Sequence, residues 1–209
     1  MTRIGWWVMA ILALAIALYG LRLAIVGERA FVEVLAASFR ARPWGIFFHA
    51  FLSAIALGLG PLQFQRRILV RHRALHRKLG KIYLFCAFFG GGVAGLYMSA
   101  FSFGGWITHA GFGFLALLTG STSLIAYLKI KARDIAAHRS WMIRNFALIF
   151  AAVTLRLWLP LLIHLFGAFP PAYQTVSWLC WVPNLIWAEW FVARTWSRGV
   201  PAYVGAGPS

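Results

Sequence analysis

A run of about twenty apolar residues leaves a chain few ways to fold, because in lipid each segment must satisfy its own backbone polar groups. This sequence holds six such stretches, at about 6–26, 44–65, 80–102, 106–128, 141–166 and 174–196. Hydrophobic residues make up 62% of the chain and charged residues 11%, with a mean hydropathy of +0.77. A soluble domain carries far more charge. The expectation is an all-α, polytopic membrane helix bundle of about six transmembrane helices, with spans two to five as a four-helix core.

The first run begins after Arg3 and resembles a signal peptide, but it continues through Gly20 and Leu21 to Val26 without a convincing small-x-small cleavage site. It reads as an uncleaved first span. Residues 1–43 then supply that span and a loop, 44–166 the four-helix core, and 167–209 the sixth span and a tail, all within one membrane domain.

The net charge of +16 would point to nucleic acid if it tiled a soluble surface. Here the cations cluster between apolar runs, so nucleic-acid binding is set aside. The 66–81 join carries Arg66, Arg67, Arg71, Arg73, Arg77, Lys78 and Lys81, and the 129–139 join carries Lys129, Lys131, Arg133 and Arg139 against Asp134. The joins around 103–106 and 167–173 hold no charge. This alternation predicts a bacterial inner-membrane protein with both basic joins and both termini cytoplasmic, the basic joins meeting anionic lipid headgroups. The first loop, about 27–43, should lie outside despite Arg29, Arg40 and Arg42, and its string FVEVLAASF suits an interfacial helix. Cys86 and Cys180 read as small buried hydrophobes. Pro160 and Pro183 should kink spans five and six.

Four histidines are placed twice in the same way. His49 and His109 sit just inside the start of spans two and four, and His76-Arg77 and His138-Arg139 open spans three and five at nearly equal spacing. Gly60 and Gly120 each follow His49 and His109 by eleven positions, close to three turns and so on the same face, about 16 Å deeper. Spans two–three and four–five therefore read as two copies of one hairpin. Pairing span two with four and span three with five would put His49 with His109 near the outside and His76 with His138 near the inside. Neutral imidazoles are good axial ligands for haem iron. The expected cofactor is one or two b-type haems, with His49, His76, His109 and His138 as iron ligands and a glycine facing the inner site making room for the macrocycle edge. Arg77, Arg139 and Arg144 would neutralise propionates or an anionic donor, and Arg156, deep in span five, implies a partner, cavity or cofactor anion.

Bland readings stand beside these. A histidine at a basic helix end is often interfacial, His72 sits among cations that would repel a metal, and His164 is a spare near the outer end of span five. Glycines in spans two to four fit close helix packing in lipid. Glu189, the only acidic residue deep in an apolar run, should pair with Arg144 or Arg139, and Gln63 could bond across helices. Nucleophile–base triads, phosphate loops, zinc motifs and paired carboxylates are all missing, which argues against hydrolytic chemistry.

The strings His49…Gly60-Pro61-Leu62-Gln63-Phe64, His76-Arg77-x-x-Gly80-x-x-Tyr83, His138-Arg139-x-Trp141-Met142-x-Arg144 and Thr154-Leu155-Arg156 resemble the bacterial membrane-protein family called domain of unknown function 2306, over about residues 45–165. That resemblance implies a polytopic inner-membrane protein and no particular activity. The order and depth of the histidines also resemble the cytochrome b-561 type of di-haem protein, in topology alone. Three readings remain open: a b-haem transmembrane electron carrier whose partners are a quinone or soluble redox protein, a non-haem module such as a small transporter, anionic-lipid binder or assembly subunit, or a membrane enzyme of unspecified reaction.

Overall fold

The computed structural model describes residues 3–27, 36–37 and 40–197; most of FVEVLAASF, expected as an interfacial helix, lies outside them. Among the described residues every regular element is helical. Five helical segments are long and apolar enough to cross a membrane: Arg3–Leu23, Pro43–Gln63, Arg73–Ser99, Trp106–Lys131 and Ile135–Phe166.

Helix α1 (Arg3–Val26) packs antiparallel on α2 (Pro43–Gln63), where Gly58 meets Ala17 and Gly20 meets Ala54. Pro43 starts α2, a position where its missing N–H costs nothing. The basic join folds into the short α3 (Arg66–Arg71), capped by the Gln65 side chain. The third span comprises α4 (Arg73–Cys86), a π-helical segment (Ala87–Ala94) and α5 (Gly95–Ser99). Gly104 and Gly105, both at positive φ, turn the chain into α6 (Trp106–Lys131). Asp134 then caps α7 (Ile135–Ile149), accepting from the Ala137 N–H at 3.0 Å. Helix α8 (Ala151–Phe166) ends on left-handed Gly167.

Consecutive spans two to five touch in order, and α7 closes the ring on α2. This is the expected four-helix core, with spans two and four, and three and five, at opposite corners. The glycine-rich π segment is wedged between α2 and α6. A Cβ on Gly90 would meet Leu52 and Ser53 of α2, and one on Gly92 would lie 2.9 Å from the Gly120 Cα. Glycines here let backbones touch. Large apolar side chains such as Ile4, Trp7, Leu117 and Leu165 point outward, as a lipid-facing surface requires.

Two details differ from the sequence expectation. The sixth segment is two helices, α9 (Phe169–Leu179) and α10 (Val182–Ser197), rather than one uninterrupted span. Hydropathy over 174–196 reports composition and is blind to a broken hydrogen-bond ladder. The break falls just before Pro183, as that residue's missing N–H dictates. Asn184 Nδ2 donates to the Cys180 carbonyl at 3.0 Å, and the Thr154 hydroxyl donates to the same oxygen. Helix α9 lies along α8 and α6, and α10 along α7. In span five the interruption comes at Phe150, whereas Pro160 sits within continuous α8. Cys86 and Cys180 are free and buried, as expected.

Candidate functional site

The centre of the core is a polar knot. Tyr83 Oη donates to Asn145 Oδ1 at 2.7 Å, while Asn145 Nδ2 faces the Thr119 carbonyl, Thr122 Oγ1 and Ser123 Oγ at 3.0, 2.9 and 2.8 Å. Both Tyr83 and Asn145 are fully buried. The knot joins three spans where water cannot substitute for a lost partner. Sequence reading missed Asn145; its signal was a lone amide seven positions after His138.

That spacing organises the basic end. His76 precedes Tyr83 by seven residues, and His138 precedes Asn145 by seven. Seven residues are two turns, so the faces joined by the Tyr83–Asn145 bond also carry the two imidazoles, about 10 Å nearer the basic end. His76 and His138 lie within electrostatic reach of each other. The His138 Nδ1–H donates to the Ala126 carbonyl at 2.8 Å. A carbonyl only accepts, so the proton sits on Nδ1 and the Nε2 lone pair is left for a ligand. The His76 Nδ1 is buried with no hydrogen-bond partner among the described residues, and so is Gln63 Nε2. Gln63 packs on Gly80, one turn along from His76. Two orphaned buried polar atoms and an oriented imidazole thus gather at one place. Such atoms are rare unless something binds there.

The other expected pair is anchored on the third span. The His49 Nδ1–H donates to the Gly90 carbonyl at 2.9 Å, and the His109 Nδ1–H to the Ser99 carbonyl at 2.8 Å. Both acceptors belong to the third span but are nine residues apart, on the order of 10 Å along it. The glycines expected to make room for a macrocycle edge at the inner site are filled: the Phe146 ring occupies the space beside Gly60, and Gly120 abuts the Gly92 backbone. For bis-imidazole ligation the basic end offers an oriented His138 and a His76 Nδ1 unpartnered among the described residues, while the space beside Gly60 and Gly120 is occupied by protein.

Among the remaining residues, Arg144 holds Glu189 through two hydrogen bonds of 2.6 and 2.8 Å and lies over the Trp141 ring. The expected ion pair is present, so Arg144 ties span five to α10 rather than standing free for a bound anion. Arg77 and Arg139 are exposed next to the two imidazoles. Arg156 Nη1 donates to the Ala152 carbonyl at 2.7 Å, with its guanidinium 5.1 Å from the centre of the Tyr19 ring. His72 and His164 are both exposed. No cluster of three or more potential metal ligands occurs among the described residues.

The model of the family described as "Predicted membrane protein (DUF2306)" matches residues 46–192, most of the chain, and the protein belongs to that family. No curated protein and no solved structure matches it.

Proposed function

We propose that this integral membrane protein is a transmembrane electron carrier holding one b-type haem between His76 and His138, with the basic end facing the bacterial cytoplasm. The observation that carries the reading is the shared two-turn register of His76 with Tyr83 and His138 with Asn145, which brings two imidazoles to opposed helix faces. Haem iron supplies one-electron redox chemistry when bound. The chain does the rest. The Ala126 carbonyl fixes the His138 tautomer and ring orientation. Arg77 and Arg139 stand beside the ligands, where propionates would meet them. The Tyr83–Asn145 knot closes the floor of the site with satisfied, immobile polar groups. A soluble reductant or quinone would donate at the basic face.

The test is a reduced-minus-oxidised spectrum of protein expressed with ample haem. A Soret band is expected, lost in His76→Ala and in His138→Ala and retained in His109→Ala. Folded protein without a Soret band would sink the proposal.

One observation favours the non-redox alternative. Arg66, Arg67 and Arg71 line a cavity of about 540 Å³ with Val70 at the basic end, a setting suited to an anionic lipid headgroup. Pigment-free protein that binds anionic lipid, weakened by Arg66→Ala or Arg67→Ala, would select that reading.

A further inference from the structure

Arg156 has no acidic partner among the described residues. Of the carboxylates among the described residues, Asp134 lies 3.6 Å from Lys129 and caps α7, and Glu189 is held by Arg144. Among the described residues Arg156 has its own helix's Ala152 carbonyl and the face of Tyr19, with Tyr173 also within electrostatic reach. A guanidinium in an apolar span usually escapes by reaching for the nearer surface. This one does the opposite. Its helix runs from the basic end toward the far end, and the side chain turns back along it to Ala152, near the middle of the 32-residue span Ile135–Phe166. The guanidinium thus stays inside the span instead of extending toward the far surface.

Ala50, next to His49, packs on Gly20, next to Tyr19, so His49 lies close to the Tyr19–Arg156 contact, yet no hydrogen bond joins His49 and Arg156 among the described residues. With its Nδ1 proton committed to Gly90, His49 offers an Nε2 lone pair. Arg156 offers only N–H donors. One partner donates, the other accepts, and they stand apart. Tyr19 is 41% exposed on the outer helix α1, which touches α8 only lightly. The seam between α1 and α8 therefore opens sideways into lipid.

A ligand matching this arrangement dissolves in the hydrocarbon region and has one oxygen that accepts and, across a ring, another that donates. It also has a flat body to lie against Tyr19. A carboxylate or phosphate presents its oxygens on one side and stays at the interface. We infer that Arg156, His49 and Tyr19 form a lateral binding site for the head of a membrane quinol or quinone, with Arg156 on one ring oxygen and His49 on the other. The inference concerns binding and does not depend on the haem proposal.

The experiment is direct titration of full-length protein in lipid nanodiscs with a short-tailed benzoquinol analogue, with oleate as a parallel ligand. Saturable analogue binding is expected, weakened about tenfold or more by Arg156→Leu, since hydrogen bonds to a charged group are strong. His49→Leu should weaken it as well, while Arg156→Lys, which keeps the charge, should lose less. Circular dichroism and the Tyr83–Asn145-dependent unfolding midpoint report whether each variant folds. Absence of saturable binding by the wild-type protein overturns the inference, as does equal affinity in folded wild type and Arg156→Leu. Binding of oleate alone overturns it in favour of a carboxylate site. Haem content is read separately from the Soret band, so the two proposals fail independently.

Discussion

Asn145 is the residue on which most depends. Its side chain bonds only inside the core among the described residues, accepting from Tyr83 and donating into the α6 backbone and hydroxyls. Replacing it by alanine strands a buried phenol and leaves α6 without its bridge. The expected loss is about 2 kcal/mol, against about 1 kcal/mol for Tyr83→Phe, which removes one bond. The double substitution should cost less than the sum of the singles, because both act on one interaction. Equilibrium unfolding in mixed micelles measures all three; full additivity would mean that the two side chains are not coupled. The sequence announced the histidines because they are rare in apolar runs. It hid Asn145 because one amide after Arg144 reads as the tail of a basic stretch. Depth narrowed the partner of Glu189 to Arg144 or Arg139, and the structure selects Arg144.

At the scale of elements, the third span is held by contact between backbones. A Cβ at Gly92 would press on the Gly120 Cα, and no rotamer change relieves a clash with main chain. Gly92→Ala should therefore destabilise by about 1–3 kcal/mol. Gly58 faces Ala17 at an ordinary 3.5 Å, so Gly58→Ala should be neutral or gain a few tenths of a kcal/mol from helix propensity. Thermal unfolding of both variants side by side checks the contrast, and equal midpoints would count against backbone-level packing. The π segment could not be read in advance. Its three glycines signalled close approach, but the extra residue per turn arises from fitting them between α2 and α6, a tertiary demand that local sequence does not record. His49 then reaches the Gly90 carbonyl within that segment. The same holds for Phe150, where span five is interrupted without proline or glycine.

For the whole molecule, the alternation of basic and uncharged joins implies an orientation. Val70→Cys on α3 and Gly105→Cys at the start of α6 lie at opposite ends of the bundle. In right-side-out vesicles a membrane-impermeant maleimide should label Gly105→Cys and spare Val70→Cys until the membrane is permeabilised. The reverse pattern would invert the proposed topology, and the buried native cysteines should stay silent in either case. The ring of spans two to five was readable because apolar length and loop charge report crossing and direction. The last segment was readable only in part, and its break has a consequence for how the chain is made. Its two halves hold 11 and 16 residues, each short of the roughly 20 that a translocon accepts as a span. The second half also carries Glu189 and Arg194. Span five already holds Arg144 for the acid and Thr154 for the open Cys180 carbonyl, while Arg194 lies over the Trp190 ring of its own helix. Insertion of the C-terminal piece is therefore templated by span five. Fused to an unrelated reporter, residues 169–197 should integrate poorly alone and efficiently behind 135–166, as read by glycosylation mapping.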